Sequence, residues 1–332
     1  MTSAFEPTVP QGELFSSPDV DAARAFFAHK SRAMTDKRMP VAEAVSRFVH
    51  DGDYVASGGF GGVRIATALL HEIVRQRRRR LGFSGHTATH DFQIMAAGRC
   101  FDRCDASYIV GLEVRGLSAG ARRWIESGEV RVTEWSNATL GWRYKAAAMG
   151  VPFLPARTLM GTDEFWYSAA KEITCPFTGQ KLIAVPALFP DVGLVHVHRA
   201  DPYGNAQIDG ISIADYDIVR ACKHVIVSTE RVVSTEEIRQ APGTTLAPYW
   251  LVDAVCHVPY GSYPGNMPFE YYSDEEHLAE WLEADKDPVT LEAFLNKYIY
   301  GTRDFEGYLE LKGGERRLAE LRAMEPLHRG QS

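Results

Sequence analysis

The chain has 332 residues, a net charge of −7 and an isoelectric point near 5.9. That balance excludes the dominant positive field a nucleic acid or an anionic membrane surface demands, and leaves small molecules and other proteins as partners. Apolar residues make up 45% and charged residues 24%, so one large domain can bury a full core without disulfides or metals.

Cys100, Cys104, Cys175, Cys222 and Cys256 form an odd, scattered set, which argues against a disulfide framework and for a reducing cytoplasm. Met1 to Pro10 lacks a basic region followed by an apolar core, and no stretch approaches eighteen consecutive apolar residues. Neither export nor a membrane span is expected.

Residues 1–36 carry Pro7, Pro10, Ser16, Ser17 and Pro18 ahead of a helical patch with Ala22, Ala23, Phe26 and Phe27 on one face. We read them as an N-terminal extension. The main domain is expected over 37–315, starting with a helix through Ala42, Ala44, Val45 and Phe48 and a strand at Tyr54–Ala56. Gly58, Gly59, Phe60, Gly61 and Gly62 turn the chain into a helix striped by Ile65, Ala68, Leu69 and Ile73. Arg77 to Arg80 are expected to close that helix as a solvated cationic end.

Further strands are expected at Leu81–Ser84, Tyr108–Gly111, Val130–Thr133, Leu182–Pro186, Val192–Val197, His224–Ser228 and Leu251–Val258, with helices such as Ala119–Glu126 and Thr139–Met149 between them. Strands alternating with helices imply an open, mostly parallel α/β sheet flanked by helices on both faces, with ligands at the carboxyl ends of the strands. Beyond Ser273, the apolar stripes through Leu278 and Trp281, Leu291 and Phe294, and Phe305 and Tyr308 imply a C-terminal helical cover. Residues 316–332 are expected to be a polar, frayed tail.

Several constellations could carry chemistry. A strand that opens into a helix through glycines brings backbone N–H groups toward a phosphate or a developing oxyanion. From Gly59, however, the dinucleotide spacing fails, because Arg64 stands at the sixth position and no acidic residue follows at the ribose distance. His196 and His198 share one strand face near Asp201, where structural histidines outweigh a metal site. Ser84, Gly85, His86, Thr87 and His90 lack the glycine pattern of a nucleophile elbow. Cys100 and Cys104 fit one turn of helix or loop better than a redox pair.

Four ordered stretches carry a resemblance. They are Asp51-Gly52-Asp53-Tyr54-Val55-Ala56-Ser57-Gly58-Gly59-Phe60; Lys145 to Pro155, a helix ending at Gly150 before a strand entry at Pro152-Phe153-Leu154-Pro155; Val185-Pro186-Ala187 running on through Pro190-Asp191-Val192, His196, Arg199 and Asp201 to Gly204-Asn205; and Ser234-Thr235-Glu236-Glu237-Ile238-Arg239 with Val252-Asp253-Ala254-Val255 and Pro259-Tyr260-Gly261. Together they resemble the α-type subunit of class I coenzyme A transferases of the glutaconate type. The likeness covers about Met39 to Leu311 and departs where the family continues to Gly-x-Pro and this chain has Arg64-Ile65-Ala66.

The resemblance implies ping-pong transfer of CoA between an acyl-CoA and a small, possibly dicarboxylic, acid through a glutamyl-CoA thioester, with the CoA thioester as substrate and no permanently bound cofactor or metal. It places the nucleophilic glutamate in a β-type partner, in an αβ or α2β2 assembly, since Phe83-Ser84-Gly85-His86 stands at the equivalent strand end here. Glu113 and Glu134 read as surface carboxylates. The contribution implied for this chain is a wall of the substrate and CoA site: Gly58, Gly59, Phe60 and Gly61, His86 and Thr87, and Ser136 with Asn137. Arg64, Thr87, Asn137 and Arg199 could orient a dicarboxylate by residue type. Relatives that hydrolyse or decarboxylate CoA thioesters are the alternative, and a non-catalytic scaffold role is another. Ring-opening relatives offer a glutamate where Asn137 stands, which favours transfer.

Overall fold

A computed structural model describes residues 12–109 and 116–327. In chain order, α1 (Val20–His29) and α2 (Val41–Phe48) precede β1 (Tyr54–Ser57). Then come α3 (Thr67–Arg75), β2 (Leu81–Gly85), α4 (His90–Ala97), β3 (Phe101–Ala106), α5 (Ala119–Glu126) and β4 (Arg131–Glu134). The long α6 (Asn137–Met149) leads into β5 (Phe153–Ala156), the short α7 (Glu164–Tyr167), β6 (Lys171–Thr174) and β7 (Lys181–Pro186). Next are β8 (Val192–Ala200), β9 (Ala206–Gln207), α8 (Asp215–Ala221), β10 (His224–Val232), α9 (Thr235–Gln240), β11 (Thr245–Ala247) and β12 (Ala254–His257). Four α-helices follow among the described residues: α10 (Glu275–Ala284), α11 (Pro288–Leu295), α12 (Phe305–Leu311) and α13 (Gly314–Met324), with a π-helical turn at Asn296–Tyr300 between α11 and α12.

Seven strands pair in parallel in the order β12-β10-β8-β1-β2-β3-β4, and β9 and β11 attach antiparallel beside the end of β8. Side chains alternate between two cores, as strands covered on both faces require. Val55, Val192, Leu194 and Ile226 enter the core made with α2 to α5 and the C-terminal helices. Tyr54, Ala56, Val195, Val197, Val225 and Val227 enter the other, made with α1, α6, α8 and the separate antiparallel sheet β5-β7-β6. The expected α/β architecture with a helical C-terminal cover is the one observed.

The chain winds outward in both directions from the β8–β1 pair. That pair is therefore the topological switch point, outside whose carboxyl ends open α/β sheets bind ligands.

The C-terminal helices begin at local caps: the carboxylates of Asp274, Asp287 and Asp304 accept from the first free amides of α10, α11 and α12. Over 316–324 the expected polar tail is instead part of the docked helix α13, and residues 328–332 fall outside the described residues. Leu318 and Leu321 are buried on its inner face, Arg317 pairs with Asp274, and Glu325 accepts from Asn266. The preceding charge-rich sequence hid that short stripe. Residues 12–36, the described part of the N-terminal extension, are also tied down, with Lys30 Nζ donating to Asp253, Lys223 O and Leu251 O.

Three smaller expectations change. α3 ends at Arg75, so the arginine run lies past the helix in the turn into β2, with Arg77 and Arg80 at positive φ. The strand expected at Tyr108–Gly111 is displaced to β3, Tyr108 being in a bend, while Val110 and Gly111 fall outside the described residues, as does Glu113. Cys100 and Cys104 enter and occupy β3, both buried.

Candidate functional site

β1 delivers the glycine turn to the switch point, where there is no room for side chains. A Cβ on Gly58 would sit 2.8 Å from Val195 Cγ1 and 2.9 Å from Asp215 Oδ1. Gly59 has φ +90°, and a Cβ there would meet Val63 O at 2.7 Å. These two glycines are required by close approach and backbone sign.

The amides of this turn are already committed. Gly58 N–H donates to Leu194 O, Gly59 N–H to Asp215 Oδ1, Phe60 N–H to Val63 O and Gly61 N–H to Thr87 O. These four amides are therefore not free donors for an oxyanion, and the turn is tied to the Thr87 segment.

Asp215, at the start of α8, clamps the turn. It accepts from Gly59 N–H at 2.8 Å and from Arg64 Nη1 and Nη2 at 3.0 and 3.1 Å. Burial alone would push the Asp215 carboxyl up, but the Arg64 guanidinium and the Gly59 amide outweigh it and hold it below the usual range. Arg64 is thus consumed inside the fold. Arg199 is likewise held by Asp209 and Gln207, and neither arginine lines the cavity beside His86.

His86 and Thr87 follow β2. The His86 ring lies 5.6 Å from the half-exposed Phe60 ring, and its Nε2 lies 2.9 Å from Asn137 O, at the first turn of α6. A carbonyl only accepts, so Nε2 carries the proton and Nδ1 is a bare acceptor. Burial pushes the His86 pKa down despite the Asn137 carbonyl, which favours the neutral ring. His86 Nδ1, Thr87 Oγ1 and Asn137 Oδ1 are all buried without a hydrogen-bond partner among the described residues. Unpaired buried polar atoms are costly in a folded chain, so these three, two after β2 and one on the first turn of α6, are candidates for contact with a ligand.

Ser136 has a different task, capping α6 by accepting from Thr139 N–H. Beneath the Thr87 segment, Thr89 Oγ1 donates to Gly61 O, and Asp91 accepts from Thr89 N–H while burial raises its pKa to about 6. Ser84 is fully buried and bonded to the Tyr144 hydroxyl, which suits structure and not nucleophilic attack. His196 is bonded to Ser228 and Glu230, His198 to Pro268 O and Asp209 N–H, and Asp201 closes the turn at Tyr203 to Asn205.

A cavity of about 250 Å³ opens beside His86 and Asn137. Its other walls come from residues that motif reasoning missed: Gly141, Trp142 and Lys145 on α6, and Ile213, Ala214 and Asp217 at α8. A signal did exist. Gly141 interrupts a good helix four residues after Asn137 and four before Lys145, the spacing of a single face where something approaches closely. A larger cleft of about 510 Å³, lined by Arg77, Arg79, Arg99 and Arg123, lies where α3 and α4 finish, at the amino end of the strands.

Comparison with known proteins adds an independent line. The coenzyme A transferase family profile matches residues 38–257. A glutaconate CoA-transferase subunit of Acidaminococcus fermentans is 32% identical, across 88% of this chain and 96% of its own. The crystal structure of that organism's enzyme superposes with a TM-score of 0.84 at 30% identity, covering 89% of this chain and 98% of the other. A 3-oxoadipate CoA-transferase subunit of Pseudomonas knackmussii is 35% identical over 80% of this chain and 94% of its own. The cholesterol ring-cleaving hydrolase IpdA subunit of Rhodococcus jostii is 30% identical over 81% and 94%.

Proposed function

The chain belongs to the coenzyme A transferase family, and from that premise we propose that it is the α-type subunit of a cytoplasmic two-subunit transferase, moving CoA between an acyl-CoA and a small acid. The observation that carries this reading is the group of unpaired polar atoms on His86, Thr87 and Asn137 at the switch point. It has the makings of a binding wall, and the β2 end beside it carries Gly85-His86-Thr87 and no glutamate.

In the proposed chemistry a glutamate of the β-type partner attacks the thioester carbonyl, forming a mixed anhydride and releasing CoA thiolate. The thiolate attacks the glutamyl carbonyl, frees the first acid and leaves a glutamyl-CoA thioester. The acceptor carboxylate then repeats the exchange in reverse, taking CoA and restoring the glutamate. This chain's part is to orient. The glycine turn fixes the wall's shape, neutral His86 presents Nδ1 as an acceptor, and α6 and α8 enclose the acid. Residues 37–315 are the transferase unit in this reading, with either one or two αβ pairs.

The test is to co-purify the chain with its partner and treat the complex with acyl-CoA and borohydride or hydroxylamine, followed by mass spectrometry. A trapped glutamate in the partner and none in this chain supports the divided site. Thioester consumption with no trapped glutamate and no acceptor requirement would shift the reading to hydrolysis, which the IpdA likeness favours and the amide at Asn137 disfavours.

A further inference from the structure

The cavity beside His86 has an asymmetric lining. At one end the unpaired atoms, His86 Nδ1 and Asn137 Oδ1, are both acceptors. At the other stands Lys145, the only cation on the lining, with no ion-pair partner among the described residues. Asn137, Gly141 and Lys145 follow one another at four-residue steps, so they share a face of α6 that rises about 12 Å from first to last. Gly141 leaves the middle of that face without a side chain, and a methyl there would sit 3.5 Å from His86 Nε2, an ordinary contact distance.

The other cations near the strand ends are committed. Arg64 is bound to Asp215, Arg143 to Asp105 and Arg199 to Asp209. An anionic group entering this space meets Lys145 as the one Lys or Arg on the lining, with Arg220 set back on α8 and donating to Tyr216 O and Leu246 O.

Resting on the transferase reading, we infer that Lys145 holds the distal carboxylate of a dicarboxylic acid and so sets the enzyme's preference for diacids over monoacids. The volume of about 250 Å³ suits a short-chain acid and is below that of ordinary cofactor-sized pockets. Asp217 faces Lys145 from α8. Burial raises its pKa, opposed by Lys145 and Arg220, so it competes with the substrate for the ammonium group. Trp142 and Ile213 supply apolar wall between the two ends.

The experiment compares glutarate and butyrate as acceptors with a fixed CoA-thioester donor, using the co-purified complex. Lys145→Ala is expected to raise KM for glutarate about ten- to a hundred-fold, the range for loss of a charged hydrogen bond. KM for butyrate and for the donor should change less than about two-fold on the same scale. Lys145→Arg should recover much of the loss, and Asp217→Asn should lower KM for glutarate. An equal rise for both acids overturns the inference, as does a rise confined to the thioester, which would assign Lys145 to a phosphate of CoA.

Calorimetric titration of glutarate into the same complexes supplies a readout free of turnover. Binding that Lys145→Ala abolishes sustains the inference even if no thioester is turned over and the transferase reading fails. Binding unaffected by the substitution, or no binding to the native complex at millimolar glutarate, overturns it.

Discussion

Gly59 and Arg64 show how much of the site's shape rests on single residues. Alanine at Gly59 has to adopt φ +90° and press on Val63 O at 2.7 Å, a strain on the order of 1–3 kcal/mol. Urea unfolding is expected to show that loss, together with reduced transfer activity as the Thr87 segment loses its support. Arg64→Leu leaves the Asp215 carboxylate buried without its guanidinium, which costs roughly 3–5 kcal/mol. The double variant Arg64→Leu, Asp215→Leu is expected to regain part of that stability, and a double-mutant cycle measures how much. The glycines were legible in the sequence, because strand, glycines and helix follow one another locally. Residue type alone offers Arg64 as a group that could orient a dicarboxylate, but the carboxylate that holds it lies 151 residues away; side-chain type gives the charge but not the distant group that neutralises it.

At the scale of elements, α6 sets stability against function. Gly141→Ala relieves the conformational cost of a mid-helix glycine, worth roughly 0.5–1 kcal/mol, and its methyl meets His86 at ordinary contact distance. The melting temperature is expected to hold or rise while KM for the acid rises as the cavity narrows. α3 and α12 enclose a different device. His71 on α3 is fully buried against the Phe305 and Tyr308 rings, with neither nitrogen hydrogen-bonded among the described residues. Burial, with Arg75, His90 and His277 nearby, pushes its pKa well below 6.5. The unfolded chain takes up this proton near pH 6.5 and the folded chain only at lower pH. Its contribution is therefore intact above about 6.5 and is lost as pH falls below that value. His71→Phe is expected to flatten that decline in urea midpoints measured from pH 7.5 to 5. Apolar runs made the central strands legible. The strand entry at Pro152–Pro155 is β5, whereas β6 escaped because its residues are exposed or intermediate at the margin of the core, so the apolar signal there is thin. Packing around a buried imidazole leaves no local sequence trace at all.

For the whole molecule, the switch point gathers more apolar surface than a finished site would leave open. Phe60 is 37% exposed, Trp142 36%, Ile213 40%, and Ile211 and Tyr216 flank Ile213 at 76% and 48%. Trp142 and Ile213 line the cavity itself, and Phe60 lies against His86. Apolar groups clustered at the mouth of a polar cavity are the kind of rim a partner surface covers. If the β-type subunit closes this mouth and brings the glutamate, a charge on the rim should weaken assembly without unfolding the chain, because Ile213 packs in neither core. Ile213→Glu is expected to reduce co-purification of the partner and to abolish glutamyl-CoA trapping, while the circular dichroism of this chain stays native. Val289→Glu, at a 75% exposed position on α11 in the C-terminal cover, is expected to change neither. Normal assembly with Ile213→Glu would place the partner on another face, and the unpaired atoms on His86, Thr87 and Asn137 would then need a small-molecule occupant within this chain alone.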